Sequence, residues 1–415
     1  MALDHVRGLE CTLCGATYDP DRTIYTCPEH DGVRGILEVI YDYDVIEERF
    51  DATLDGTIVD QWKYRAFLPV DPDAEPVTLG EGGTGLYDAP RLSAELGVET
   101  AVKDDARNPT GVLKDRATSV SLTRARHRGD EVVTCASTGN AAASLAGYSA
   151  RAGLECRIFV PEDAPEGKLA QPLVYGADVL AVEGSYDEAY DLSMDVTDSF
   201  GWYNRNAAVN PFQVEGKRTV GHELAEQTQG NVPDWVVFSM GDGCTIAGCW
   251  KGIREFHELG YVEETPRMLG VQAEGAPAIH ETFHSHDDVA DIADTIADSI
   301  AVGRPRNMVK ACRALEESGG TSVLVSDEAI LAGEGLLGRT EGFYAEPAGA
   351  TPVAGVQTAR EQGIIDDDER VVIVTTGHGL KDSASARDAA AADVERITPS
   401  IDDVQALYGD PTAAD

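Results

Sequence analysis

The sequence predicts an α/β protein in which parallel sheets are covered on both faces by helices, preceded by a small cysteine-bearing module. Three observations carry this. Short apolar, β-branched runs such as Val132-Val133-Thr134-Cys135 alternate with stretches long enough for helices of ten residues or more, the pattern of strands buried on both faces. Several of these runs end in turns rich in Gly, Ser, Thr and Asn before a helix begins. Near the N-terminus, Cys11-x-x-Cys14 is followed by Cys27-x-x-His30, the spacing of a small zinc ribbon or knuckle. With 415 residues and 42% hydrophobic content, the chain has ample material for a core and for more than one domain.

In order along the chain, Leu37 to Tyr43 reads as a strand leading out of the cysteine module. Thr100 to Lys103 is the next strand, followed by a helix from Lys114 to Arg128. Glu131 to Ala136 is a strand, Ala141 to Ala152 a helix and Cys156 to Val160 a strand. Further strands fit Ala177–Val182, Trp235–Ser239, Met268–Ala273, Thr321–Val325 and Val371–Thr375, with helices between them. The stretch from Ile397 to Asp415 is short and acidic, a peripheral helix or tail.

Asp and Glu number 73 against 33 Lys and Arg, a formal net charge of −40, and the pI is about 4.4. Such a surface excludes nucleic acid and anionic membranes as partners. The acid is spread along the whole chain and only eight of the basic residues are lysines, which predicts a protein of a high-salt cytoplasm, where self-repulsion is screened. MALDHVRGLE has no secretory pattern, and no apolar run reaches membrane-spanning length. The expectation is a soluble cytoplasmic protein with reduced, mostly buried thiols.

Five segments carry chemistry. Cys11, Cys14, Cys27 and His30 form either a tetrahedral metal site or a ribbon held by packing alone. Asn108-Pro109-Thr110-Gly111-Val112-Leu113-Lys114 places a lysine at a helix start after a tight loop, where the helix dipole lowers its pKa; a solvated helix lysine is the alternative. Ser137-Thr138-Gly139-Asn140-Ala141 lies between strand and helix, offering backbone N–H groups and hydroxyls to a carboxylate, or merely a capped helix. Gly241-Asp242-Gly243-Cys244-Thr245 makes a small-residue anion cup that matches neither a Walker loop nor a dinucleotide fingerprint. Thr375-Thr376-Gly377-His378 ends the last strand with hydroxyls.

In this order the four main-body segments resemble the threonine synthase family of fold type II pyridoxal-phosphate enzymes, from about Leu79 to Leu380. Glu81-Gly82-Gly83-Thr84, Asn206 through Pro211 with Glu215-Gly216-Lys217, Gln272 through Ala276, and Glu346-Pro347-Ala348-Gly349-Ala350 belong to the same likeness, and the ribbon resembles that of archaeal members. The resemblance implies a tryptophan synthase β-like architecture: two three-layer parallel-sheet domains plus a zinc-ribbon-like module. Residues 1–45 would form the module, 46–100 with 205–415 the larger domain, and 101–204 the smaller.

The resemblance also implies that Lys114 carries pyridoxal 5'-phosphate and shuttles protons. Asn140 would bond the phenolic oxygen, Gly241, Asp242, Gly243, Cys244 and Thr245 would hold the phosphate, and Thr376 would meet the ring nitrogen. The Ser137, Thr138 and Ala141 backbone would grip the substrate carboxylate, with Thr84 nearby. For the substrate phosphate, where this chain departs from the family around Asn210-Pro211, Arg205, Lys217 and Arg218 are the candidate replacements. The implied reaction turns O-phospho-L-homoserine and water into L-threonine and phosphate, and a homodimer is implied by analogy. A β-replacement enzyme, a serine/threonine dehydratase and a catalytically retired binding protein are the competing readings. Val112-Leu113 replaces the Ser-Phe usual before the lysine, Gly85 stands where Pro is common, and Ala207 and Gln213 stand where relatives place phosphate-binding groups.

Overall fold

The computed structural model describes residues 3–20, 25–30, 35–207, 209–285, 294–390 and 394–409. At the N-terminus, β1 (Val6–Cys11), β2 (Thr17–Tyr18) and β3 (Leu37–Tyr41) form an antiparallel sheet in the order β2-β1-β3. Leu9, Leu37, Val39 and Tyr41 face inward and pack against Tyr64, Phe67, Phe212 and Phe256. The module has too little apolar area for a core of its own, so it shares one with the main body.

β4 (Leu86–Asp88) runs antiparallel to β5 (Glu99–Asp104). β6 (Val132–Ala136), β7 (Glu155–Pro161), β8 (Asp178–Val182) and the two-residue β9 (Tyr203–Asn204) form a parallel sheet in the order β8-β7-β6-β9. β10 (Trp235–Ser239), β11 (Arg267–Ala273), β12 (Thr321–Val325) and β13 (Arg370–Thr375) join β5 and β4 in a six-stranded sheet ordered β12-β11-β10-β13-β5-β4, parallel except for β4. Every strand anticipated from an apolar run forms, with ends shifted by no more than two residues. β1, β2, β4 and β9 were not anticipated; β2, β4 and β9 are two or three residues long and lie at sheet edges, where the apolar signal is weakest, whereas β1 is six residues long and central in its small sheet. Strand β5 pairs with β13 along its whole length, so an expected domain boundary at residue 101 runs through the middle of a strand of the six-stranded sheet. A helix covers Ile401–Tyr408; residues 410–415 of the expected tail lie outside the described residues. Among the described residues, no helix is long and apolar enough to cross a membrane.

The helix Lys114–Arg128 lies between the helices Phe212–Lys217 and Asn140–Ala152. It is buried almost throughout although its sequence is polar. Its Arg116 donates to Asp105 Oδ1 at 2.6 Å and to Glu223 Oε1 at 2.6 Å, Ser119 Oγ to Val77 O at 2.8 Å, and Arg124 lies 3.6 Å from the Phe212 ring centroid. Buried polar groups are tolerable only when paired in this way.

Candidate active site

The loops after β6, β10 and β13 meet the Lys114 loop between the two sheets, at the carboxyl ends of parallel strands where open α/β sheets bind ligands. Asp115 shapes the loop before the lysine: its carboxylate accepts Thr110 N–H at 2.7 Å and Thr110 O–H at 2.6 Å. Leu113 N–H donates to Thr376 O at 2.9 Å, His378 N–H to Gly111 O at 3.0 Å, and Glu346 N–H to Gly377 O at 2.9 Å. The Lys114 loop, the β13 end and the Glu346 helix start are thus stitched together by backbone bonds.

These elements enclose a deep cavity whose walls include Lys114, Asn140, Lys217 and Thr376, with Gly241 through Thr245 along one side. Those last five residues are the turn into the Cys244–Glu258 helix, so unpaired backbone N–H groups and the positive end of a helix dipole face the cavity. Gly243 has φ +84°, and a Cβ there would lie 2.8 Å from Ala311 Cβ; only glycine permits the turn. Asp242 points away from the cup's anion-binding role: its Oδ1 accepts Arg306 N–H at 3.2 Å and its carbonyl accepts Asn307 N–H at 3.1 Å. Leu113 also lines the cavity.

The cavity is electropositive. Burial, helped by nearby Lys217 and opposed by Glu346, pushes the Lys114 amine down to about 8. Lys217 is 3% exposed and Arg205 fully buried, and burial pushes both below their ordinary values. Among the described residues neither forms an ion pair with a carboxylate. Arg205 bonds Thr118 Oγ1 at 2.8 Å and lies 3.5 Å from Lys114 O, while its Nη1 has no partner. It sits behind Lys114 rather than on the cavity wall.

Glu346 is the functional residue that motif reading left without a role. Its carboxylate is 5% exposed and shares the cavity with Lys114. It accepts Asn140 Nδ2–H at 2.7 Å and Ser299 O–H at 3.1 Å, while Asn140 Nδ2 also donates to Ser299 Oγ at 2.9 Å. A carboxylate accepts only, so it fixes the Asn140 amide with its NH2 end turned towards Glu346. Burial pushes its carboxyl above the usual range against the pull of Lys114. The available signal was an acidic residue directly before Pro347 at the head of an apolar helix.

An outer cleft of about 570 Å³ adjoins the cavity and shares Asn140, Ser299, Glu346 and Ala348 with it. It is large enough for an amino-acid-sized ligand. Two contacts cross it from the Glu166–Val174 helix: Lys168 Nζ to Asp298 Oδ2 at 2.5 Å, and Gln171 Oε1 accepting from Lys381 Nζ at 2.7 Å. Gly139 and His378 line this cleft. Ser137, Thr138 and Ala141 lie in the same turn as Asn140, all partly exposed, but line neither the cavity nor the cleft; Ser137 Oγ accepts Gly139 N–H at 3.2 Å.

Thr84, expected beside the substrate carboxylate, lines neither space. It is 5% exposed, donates to Asp105 Oδ1 at 2.7 Å and accepts from Arg116 Nη2 at 3.2 Å. The physical reason is a buried ion network of Lys103, Asp105, Arg116 and Glu223 that consumes its hydroxyl. Cys11, Cys14, Cys27 and His30 converge on one point in the N-terminal module, with ligand atoms within 4.8 Å of one another.

Residues 77–377 match the family model described as pyridoxal-phosphate dependent enzyme. A protein of Methanocaldococcus jannaschii named threonine synthase is 44% identical over 382 residues, covering 91% of this chain and 93% of that protein. A threonine synthase of Methanosarcina acetivorans is 40% identical, covering 97% and 98%. Among solved structures, the processed threonine deaminase isoform 2 of Solanum lycopersicum superposes with a TM-score of 0.64 at 23% identity, covering 74% of this chain and 88% of that one, which bears on the fold alone. With its lysine, glycine cup and strand-end hydroxyl gathered on one cavity, the chain belongs to the pyridoxal-phosphate dependent enzymes and, within them, to the threonine synthase family.

Proposed function

We propose that the protein is a threonine synthase that converts O-phospho-L-homoserine and water into L-threonine and phosphate with pyridoxal 5'-phosphate as cofactor. The observation that carries this is an amine, an anion cup and the buried Lys217 on one cavity, with Arg205 buried behind the amine. The cofactor, when bound, supplies an electron sink for charge developing on substrate carbon. The residues present fit it: backbone N–H groups from Gly241 to Thr245 for its phosphate, the Asn140 amide for its phenolic oxygen, and the Thr376 hydroxyl for its ring nitrogen.

Lys114 is the nucleophile and the proton carrier, taking protons from Cα and Cβ of the substrate. An amine titrating at about 8 is neutral in about a tenth of molecules at pH 7, far more than an ordinary lysine, and still basic enough to hold a proton. Lys217, with Arg205 behind it, offers the substrate phosphate a positive charge that no protein carboxylate has claimed. The Ser137–Ala141 turn takes the substrate carboxylate through its backbone N–H groups and hydroxyls. Thr84 is omitted from this set because its hydroxyl is engaged elsewhere. The Lys168 and Lys381 contacts across the outer cleft hold its walls together and keep bulk water from the reacting carbons. The partner is a small amino-acid phosphate of the cytoplasm.

The test is phosphate and amino-acid analysis after O-phosphohomoserine is added to protein loaded with the cofactor. Phosphate and threonine should appear in equal amounts, and Lys114→Ala should lower the rate by about a thousandfold or more. A keto acid formed from threonine or serine without phosphate release would replace this reading with a dehydratase.

A further inference from the structure

We infer that Cys11, Cys14, Cys27 and His30 bind a zinc-class divalent ion, and that this ion braces the anion cup of the active site. The donor set is built for it. Cys14 and Cys27 sulfurs lie 3.9 Å apart, close to the spacing of about 3.8 Å for two thiolates each about 2.3 Å from one tetrahedral ion. His30 Nε2 is buried with no hydrogen-bond partner among the described residues, an orphaned nitrogen beside three thiols. The second knuckle is closed by Cys27 N–H donating to Gly35 O at 2.7 Å, and a Cβ at Gly35 would lie 2.7 Å from Cys27 Cβ. Three Cys and one His satisfy a closed structural site, with no open position for chemistry.

The bracing follows from what the module's strands touch. Cys11 pairs across the sheet with Leu37, so the ion would hold the end of β3. Leu37 O accepts from buried Lys310 Nζ at 2.7 Å. Lys310 belongs to the Met308–Glu317 helix, whose first turn holds the cup: Asn307 N–H donates to Asp242 O, and Asn307 Nδ2 to Cys244 Sγ at 3.0 Å. Two residues further along the strand, Val39 O accepts from Lys251 Nζ at 3.0 Å. Lys251 lies on the very helix whose N-terminus forms the cup, and it also bonds Glu215 Oε1 at 3.0 Å, two residues before Lys217. Two buried ammonium groups therefore need the β3 carbonyls to stay in place, since a buried cation robbed of an acceptor is costly. An ion that locks β3 keeps both helices, and the phosphate cup between them, in register.

This rests on the proposed binding of pyridoxal phosphate at the cup. Zinc content of the purified holoenzyme is measured by elemental analysis, and cofactor affinity by absorption titration before and after zinc is stripped with a chelator. The expected result is one zinc per chain, lost in Cys14→Ser, with cofactor affinity falling about tenfold on stripping. Lys310→Met, which leaves the ligands untouched, should keep zinc and weaken cofactor binding similarly, so the idea remains testable if the cysteine variant fails to fold. Absence of zinc from protein prepared with zinc supplied, or an unchanged cofactor affinity in both stripped protein and Lys310→Met, would overturn the inference. Zinc-loaded protein that binds no pyridoxal phosphate at all would instead remove the functional reading on which it stands, and the brace with it.

Discussion

Two groups of buried charge flank the start of the Lys114–Arg128 helix, and they are built on opposite rules. Behind the cavity, Lys103 and Arg116 are fully buried and each lies 2.6 Å from a carboxylate oxygen of Glu223, with Asp105 as second acid. On the cavity side, Lys114, Lys217 and Arg205 are desolvated and, among the described residues, none forms an ion pair with a carboxylate; the acids that pull on them, Glu346, Asp242 and Asp115 respectively, act from further away. Burial alone therefore says nothing of function. Paired charge is structure, whereas desolvated cations left without a counter-ion are a site held ready for an anionic ligand.

The contrast is broken most severely on the paired side. Glu223→Ala strips buried Lys103 of its ion-pair partner and leaves Arg116 with Asp105 alone, and a loss of about 3–5 kcal/mol in unfolding free energy is expected by chemical denaturation. On the unpaired side, Lys217→Met should leave the unfolding midpoint equal or higher, because an uncompensated charge is removed. It should lower kcat/KM for the phosphorylated substrate by about ten- to hundredfold. If Lys217→Met destabilises as Glu223→Ala does, the distinction between the two groups collapses.

The pH dependence of the Lys114 amine sharpens it. Only the neutral amine attacks a carbonyl, so capture of pyridoxal phosphate by the apoprotein should accelerate through pH about 8 and level off above it, instead of rising towards the free-lysine value of 10.5. Lys217→Met removes a like charge and should move this midpoint up. Glu346→Gln removes the opposing carboxylate and should move it down. Midpoints moving together in the two variants would mean that charge does not set the amine's behaviour.

The smallest effect is expected at Glu334, a buried carboxyl with neither oxygen partnered among the described residues. Burial, with Asp382 and Glu346 nearby, raises it to about 7 from 4.5. Its folded pKa lies above its unfolded one, so the folded state loses stability as pH climbs between those values and no more beyond. Glu334→Gln should raise Tm at pH 8 and change it little at pH 5. An equal gain at both would show that packing, and not ionisation, is responsible.

How much of this was legible in sequence differs by element. The central strands announced themselves because burial on both faces demands continuous β-branched runs. Lys114, the glycine cup, Asn140 and Thr376 stood out as candidates because each is a particular residue type at a strand end or a helix start, and the structure brings them onto one cavity. The polar helix after Lys114 showed no apolar stripe, and its burial rests on acids more than a hundred residues away, such as Glu223 for Arg116. Thr84 was misplaced for the same reason: a hydroxyl in a motif can serve a ligand or an ion network, and spacing does not distinguish them. Glu346 stood in a noted segment, but its role depends on reaching Asn140 across 206 positions of chain.

The amino-acid sequence alone therefore determined the α/β class, the central parallel strands, the acidic composition, the family likeness and the candidate lysine. These follow from composition, local periodicity and residue types that turns and anion cups require. Only the tertiary structure decided which buried charges are neutralised and which are left exposed to a cavity, that Glu346 orients Asn140, and that the N-terminal module's backbone holds lysines beneath the cup. Those outcomes depend on distances of about 3 Å between groups far apart in the chain, and a Coulomb or hydrogen-bond energy is set by that distance, not by separation in sequence.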